Sequence, residues 1–177
     1  MQKYYEIVSR GDDVIGGVLY SPSQWPYPIA RDGEKVKNWE NLELELRYGK
    51  YRDFHLCTGG ANVVSESFMN ALLPFVKDCS YLEFLPVLAK STQYGDQQYY
   101  IMHFKKVFDV INMKKTMFVE GTDSIIKLVL DREKVKDLPI FNSQPAVNDV
   151  IISNDIRKVL IKKHLVLGTD FIPISAE

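Results

Sequence analysis

Five short segments of this chain recur in the same order in its first and second halves. The recurring pairs are Tyr4-Tyr5 with Tyr99-Tyr100, Asp13-Val14-Ile15 with Asp109-Val110-Ile111, Leu42–Phe54 with Ile126–Leu138, Val63-Val64-Ser65 with Ile151-Ile152-Ser153, and Glu83–Val87 with Asp170–Ile174. This order predicts one domain spanning 1–177, with an internal duplication of about 1–90 and 97–177. The alternative is that strand–serine–helix–strand is a common local order that recurs without duplication.

The strands of this repeating unit show a period of two. Leu42–Arg47 alternates apolar and charged residues, which is typical of an antiparallel strand with one face in water. A turn signal, Gly11-Asp12-Asp13, separates the first two predicted strands. The other predicted strands are Tyr4–Val8, Val14–Tyr20, Leu82–Leu88 and Gln98–Ile111, the last with a break near Lys105-Lys106.

Each half also carries one predicted helix that follows a serine. Ser65 and Ser153 are placed to accept a hydrogen bond from a first-turn amide. Pro74 should kink or end the first helix. The apolar stripes are Phe68, Leu72, Phe75 and Val76 in the first helix, and Ile156, Val159 and Leu160 in the second. The sequence therefore predicts an α+β fold: a mainly antiparallel sheet with two Ser-capped helices, arranged as two pseudo-repeated α+β halves.

Charge and composition exclude several classes of function. The net charge is −1, whereas binding to nucleic acid requires a cationic surface. No apolar run is long enough to span a bilayer, and the N-terminus does not resemble a signal peptide. Two cysteines are too few for a disulfide scaffold in 177 residues and fit a reducing compartment. We expect a cytoplasmic protein that binds neither membrane nor nucleic acid.

No pattern of catalytic, metal-binding or cofactor-binding residues appears in the sequence. His55 and Cys57, with Cys79, could supply metal ligands, but structural zinc sites usually have four ligands in paired short spacings. Ser65 lacks the flanking glycines of a nucleophile elbow, and a helix cap explains it equally well. The sequence thus predicts a binding protein without a cofactor. An enzyme with a dispersed site and a module for a small molecule or peptide remain as alternatives.

The candidate partner-binding residues lie in and just after a proline-rich loop. Trp25, Tyr27 and Trp39 are aromatic, and aromatic residues dominate the energetics of protein interfaces. Glu43 and Glu45 follow on one strand face and could meet a basic cleft of a partner. The alternatives are that the two tryptophans hold the loop against the core, and that the glutamates form a solvated edge.

Several of these segments together resemble the Imm11 family of immunity proteins from bacterial polymorphic toxin systems. They are Tyr4-Tyr5, Asp53-Phe54 before Gly59-Gly60, Val64-Ser65-Glu66 with Phe68 and Leu72, Leu82–Val87, Ile151-Ile152-Ser153, Leu167-Gly168-Thr169 and Phe171-Ile172-Pro173. The resemblance implies a small cytoplasmic protein, encoded beside a toxin, that binds the cognate toxin and blocks its activity. It implies no catalytic residues, and it leaves the oligomeric state open.

Overall fold

The computed structural model describes residues 3–9, 18–20, 36, 39, 42–57, 61–122, 124–143 and 149–177. Its elements in chain order are β1 (Tyr4–Ser9), β2 (Val18–Tyr20), β3 (Leu42–Tyr48), β4 (Phe54–Leu56), β5 (Asn62–Ser65), α1 (Glu66–Val76), β6 (Leu82–Lys90), β7 (Gln97–Phe104), β8 (Met117–Phe118), β9 (Ile125–Lys127), β10 (Val129–Leu130), α2 (Arg132–Val135), β11 (Ile140–Phe141), β12 (Val150–Ser153), α3 (Asn154–Lys162) and β13 (Thr169–Ala176). The predicted α+β class is confirmed.

The strands form two larger sheets and one small hairpin. The first sheet has the order β10-β13-β1-β12-β11, and the second has the order β2-β3-β6-β7-β5-β4. Most neighbouring strands are antiparallel; the β3–β6 and β10–β13 pairs are parallel. The hairpin consists of β8 and β9. The predicted strand from Gln98 to Ile111 ends at Phe104, directly before Lys105-Lys106.

The two sheets share one strand order and one register. Five strands of the second sheet, β3-β6-β7-β5-β4, match β10-β13-β1-β12-β11 of the first. Within these five strands, the parallel pair and the three antiparallel pairs of one sheet each have a counterpart in the other. The matching central pairs are Tyr4–Ser153 and Tyr4–Ile174 in the first sheet, and Tyr99–Ser65 and Tyr99–Val87 in the second. Residues at matching register positions are called equivalent below; the origin of the match in a duplication, and the boundaries of the two halves, stay predictions.

One equivalence differs from the alignment of the sequence halves. Leu44 lies opposite Ala89, and Leu130 lies opposite Ala176, so Leu44 is equivalent to Leu130. The gapless alignment of Leu42–Phe54 with Ile126–Leu138 instead matched Leu44 with Leu128. That alignment is therefore wrong by two residues.

The central strands of the two sheets are exchanged between the halves of the chain. β1 lies between β12 and β13, which belong to the second half. β7 lies between β5 and β6, which belong to the first half. Each predicted half therefore contributes its first strand to the sheet built by the other half.

Helices α1 and α3 contact each other and share one core with both sheets. Phe68 and Leu72 of α1 and Ile156 and Leu160 of α3 are buried there. Separate clusters cover the outer face of each sheet. Tyr4, Phe141 and their neighbours form the cluster of the first sheet, and Leu44, Val87, Tyr99 and their neighbours form that of the second.

The serine caps are confirmed at both helices. Ser65 Oγ accepts a hydrogen bond from the Phe68 amide at 3.1 Å, and Ser153 Oγ accepts one from the Ile156 amide at 3.5 Å. Pro74, which was predicted to kink or end the first helix, lies inside α1, and the helix continues two residues beyond it to Val76. Each cap thus fixes where a strand of the sheet turns into a core helix.

We expect a circular permutant to keep this fold. Its old ends would be joined by a linker with the sequence of Ser91–Gly95, and its new ends would lie between Arg10 and Gly11. β1 and β13 are antiparallel neighbours with Tyr4 opposite Ile174, as β6 and β7 are in the second sheet. Thermal unfolding followed by circular dichroism should show a midpoint within about 4 °C of the natural order.

A permutant with the same linker but with new ends inside β7, between Ile101 and Met102, is the matched control. It should fail to fold, because these two residues are buried in the centre of the second sheet. An unfolded or aggregated permutant opened at Arg10 would contradict the proposed equivalence of the two central strands.

Candidate functional site

The aromatic candidates fall partly outside the described residues. Trp25 and Tyr27 belong to the part of the chain that is not described. Trp39 is half-buried and packs against the outer-face cluster of the second sheet. Its indole Nε1–H donates a hydrogen bond to the carbonyl oxygen of Pro86 at 2.9 Å. Trp39 therefore covers the second sheet, and a role in partner binding stays a prediction.

Glu43 and Glu45 are exposed on β3, and cations of the same chain neutralise both. Glu43 forms an ion pair with Lys90 at 2.7 Å, and Glu45 forms one with Arg47 at 2.8 Å. Along β3 they alternate with Leu44, which packs in the cluster that Trp39 covers. Because successive side chains of a strand point to opposite faces, the two glutamates and Trp39 lie on different faces of the sheet. The predicted residues do not form one surface patch.

The residues considered for catalysis and metal binding have structural partners. Ser65 Oγ donates a hydrogen bond to Asp53 Oδ1 at 2.7 Å while it caps α1. His55 Nε2 accepts a hydrogen bond from the Arg52 amide N–H at 2.8 Å. Within the described residues, no group of three or more histidine, cysteine, aspartate or glutamate side chains could hold a metal ion. These residues position the β3–β4 connection and the start of α1.

A first groove, of about 520 Å³, surrounds Arg52 at one end of the second sheet. Arg52 is buried, and its Nη1 lies 3.4 Å from both Ser9 Oγ and the Gly168 carbonyl oxygen. Its own carbonyl oxygen accepts a hydrogen bond from the Tyr99 hydroxyl at 2.7 Å. The guanidinium group therefore connects the end of β1, the loop before β13 and the second sheet. This arrangement serves the packing of the two sheets.

A second groove, of about 600 Å³, lies on the outer face of the first sheet beside the β8–β9 hairpin. We call it the outer-face groove. Its lining residues are Glu6, Ser124, Ile125, Ile126, Lys127, Leu128, Asp149, Ile172, Pro173, Ile174 and Ser175. Six of the eleven lining residues are apolar, and the other five supply two carboxylates, one ammonium group and two hydroxyl groups.

The two carboxylates sit where the sheet itself places them. Glu6 is in the central strand β1, opposite Ile151 on one side and Ile172 on the other. Asp149 directly precedes β12, and both side chains are half-buried. Burial raises the pKa of Glu6 above its ordinary value of 4.5, and the nearby charge of Asp149 raises it further. Burial likewise raises the pKa of Asp149 above 3.8.

These raised pKa values mean that ionisation of the two carboxyls has a cost in the free energy of unfolding. A carboxyl whose folded-state pKa is raised weakens folding in its ionised form. The cost is absent below the ordinary pKa values and grows as the pH rises through the raised values. In their ionised forms, Glu6 and Asp149 therefore weaken folding.

The equivalent region of the second sheet is closed by hydrophobic residues. Glu6 is equivalent to Ile101, because each lies two residues after the matched tyrosine of its central strand. Asp149 and Ala61 each directly precede the matched strand, β12 or β5. Ile101 and Ala61 are both buried in the cluster that Trp39 covers. The outer-face groove thus occupies the position that hydrophobic packing fills in the other sheet.

The exposed fractions of the residues that line the groove show the same difference between the two sheets. Ile172 is 47% exposed, whereas its equivalent Leu85, opposite Ile101 in the second sheet, is 8% exposed. On the hairpin side, Ile126 is 63% exposed. The β8–β9 hairpin and its turn also expose Met117 and Val119. Exposed apolar residues around a groove are typical of binding surfaces.

Sequence reasoning missed this groove, although one signal was present. Tyr4-Tyr5 is followed by Glu6, whereas Tyr99-Tyr100 is followed by Ile101. A glutamate in place of an isoleucine at a matched position marks the part of the first sheet that the described residues of its outer-face cluster leave uncovered. Glu6 is the one charged residue of β1, and a single charge in a short strand resembles an ordinary residue on a wet face.

No helix in the described part of the chain is both long and apolar enough to cross a membrane. Models of known protein families gave no match to this chain, and neither did curated protein sequences. The geometry of the outer-face groove is therefore the main guide to function.

Proposed function

We propose that this chain is an immunity protein, which binds a cognate bacterial toxin protein and neutralises it through the outer-face groove. The observation that supports the proposal most directly is the contrast between the two sheets. Trp39 and its neighbours cover the outer face of the second sheet, and the equivalent position of the first sheet is a groove with exposed isoleucines. The toxin as partner is an expectation from the resemblance to immunity proteins.

The shape and composition of the groove favour a protein partner. The apolar residues of the sheet and of the hairpin can form the centre of an interface, and the polar residues around them can form its rim. The exposed side chains of the hairpin extend the apolar surface beyond the groove. A standard interface buries about 800 Å² on each partner, so the partner should also contact the hairpin.

A second candidate is an enzyme, and the raised pKa values of two neighbouring carboxyls favour it. General acid–base catalysis requires one protonated and one ionised group within reach of a substrate. Hydrolysis of a nucleotide or sugar substrate would be abolished by Glu6→Gln or by Asp149→Asn. Toxin binding that persists without any hydrolysis would favour the immunity function.

Affinity capture combined with a growth assay tests the proposal. The tagged full chain would be co-expressed with the products of its neighbouring genes, and bound proteins would be identified by mass spectrometry. We expect capture of one neighbour that arrests growth when expressed alone and is harmless when co-expressed with this chain. If no neighbour binds or no toxicity is relieved, the immunity function is wrong.

A variant in the exposed wall of the groove would connect that result to the site. Ile172→Asp should weaken capture by about tenfold or more, because a charge would replace apolar contact area at the interface. Ile161→Asp, on an exposed position of α3 away from the groove, is the matched control. It should leave capture unchanged.

A further inference from the structure

The outer-face groove combines two features that one kind of side chain satisfies together. Its floor carries the carboxylates of Glu6 and Asp149, and its walls present Ile126 and Ile172. A lysine or arginine has an aliphatic stem that packs on apolar walls and a cationic head that pairs with carboxylates. The groove is therefore complementary in both charge and polarity to a basic side chain.

We propose that the outer-face groove receives a lysine or arginine side chain of the partner protein, with its cationic head between Glu6 and Asp149. The proposal rests on the proposed function and specifies the chemistry of the partner. The stem of the basic residue would pack between Ile126 and Ile172. Apolar residues flanking the basic residue in the partner would contact the hairpin.

The charges around the groove leave room for such a cation. Among the described residues, no lysine or arginine forms an ion pair with Glu6 or Asp149. Lys127 also lines the groove, and it is among the described lysines that form no ion pair with either carboxylate. An incoming cation would remove the repulsion between the two carboxylates and replace the hydration that burial has reduced.

The second sheet shows what closes this position without a charge. There, Ile101 and Ala61 take the places of Glu6 and Asp149, and Trp39 covers them within the same chain. In the first sheet, hydrophobic residues at the positions of Glu6 and Asp149 would likewise suit a hydrophobic cover. The exchange of both for carboxylates favours a cationic cover over this part of the first sheet, which the described residues of the outer-face cluster leave open.

A pair of short peptides tests the proposal directly. The probes are acetyl-Val-Arg-Val-amide and the same peptide with citrulline, which has nearly the shape of arginine but no charge. The full chain would carry ¹³C-labelled isoleucine methyl groups, with those of Ile126 and Ile172 as reporters. We expect the arginine peptide to shift both methyl resonances and to bind about tenfold or more tightly than the citrulline peptide.

Two double variants separate the groove carboxylates from other acidic residues. Glu6→Gln with Asp149→Asn should remove the preference for arginine and leave the chain folded, because it also removes a repulsion. Asp109→Asn with Glu133→Gln, which changes two exposed carboxylates that do not line the groove, should keep the preference. Lowering the pH should also reduce the preference, since Glu6 and Asp149 become protonated while the guanidinium group of the peptide keeps its charge; Lys127 is the other charged residue that lines the groove.

Four results would overturn the proposal. The peptides could bind equally, or the control variant could lose the preference. Both methyl groups could remain unshifted by either peptide, which would mean that the chain itself fills the groove. Calcium or magnesium chloride could shift the methyl resonances saturably, which would indicate a metal site instead.

The proposal of a basic side chain can fail while the immunity function holds, and the reverse is also possible. If the Glu6→Gln, Asp149→Asn variant captures a toxin as well as the unchanged protein does, the proposal of a basic side chain is wrong and the immunity function stands. If the arginine peptide is preferred but no neighbour is captured, the groove chemistry stands and the immunity function is wrong.

Discussion

Leu72→Ala and Leu160→Ala should each lower the free energy of unfolding by about 2–5 kcal/mol. Each leucine is fully buried in the core that the two sheets share, and each lies seven residues after its capping serine. Removing either side chain leaves a cavity against both helices. Urea unfolding followed by circular dichroism and by tryptophan fluorescence would measure the effect.

The shared core also predicts how many unfolding transitions these variants show. Both probes should follow a single transition, and each variant should shift that transition as a whole. Leu73→Ala and Ile161→Ala are the matched controls, because these neighbours are 42% and 41% exposed. They should cost about 0.5 kcal/mol or less. Two separate transitions, each shifted by only one of the core variants, would contradict the shared core.

Gly168→Ala should lower the free energy of unfolding by about 2–4 kcal/mol. Gly168 has φ +71°, a backbone conformation that an L side chain adopts only with strain. A Cβ atom at this position would also lie 2.7 Å from Cδ and 2.8 Å from Nε of Arg52. Arg52 is buried between the two sheets and cannot swing into solvent without leaving its contacts. The same unfolding measurement applies.

Two other glycines isolate the contribution of the backbone. Gly95 and Gly121 both have φ +74°, and a Cβ atom at either would meet no other atom within 4 Å. Alanine there should cost about 1 kcal/mol, from backbone strain reduced by the lower entropy of the unfolded chain. If Gly168→Ala costs no more than these two variants, the contact with Arg52 does not restrict the site.

The parts of the fold that the sequence predicted are those governed by local rules. β1, β3 and β6 have six to nine residues, β3 alternates regularly, and both long helices begin at a serine whose side chain caps them. The helix α2, with four residues, and the strands β8 to β11, with two or three, are too short to show a period. Their positions depend on tertiary contacts, which no single-sequence pattern reveals.

The pairing of strands was harder to predict for two physical reasons. The alignment around Leu42–Arg47 erred by two residues because a shift of two keeps every side chain on the same face of a strand. The exchange of β1 and β7 is a matter of long-range pairing, and likeness between two segments does not specify which sheet each one joins. The outer-face groove depends on that exchange, since it brings Glu6 beside Asp149.

The place of β1 in its sheet also has a consequence for synthesis of the protein. The ribosome makes Tyr4–Ser9 well before β12 and β13, which are the neighbours of β1 in the sheet. At about 5–20 residues per second, β1 waits about 8–32 s for the 160 residues that separate Ser9 from Thr169. During that time both edges of this apolar strand are open to pairing with other nascent chains. The second sheet can close as soon as β7 has emerged, so it would fold before the first sheet, and the groove would exist only once β13 has also emerged.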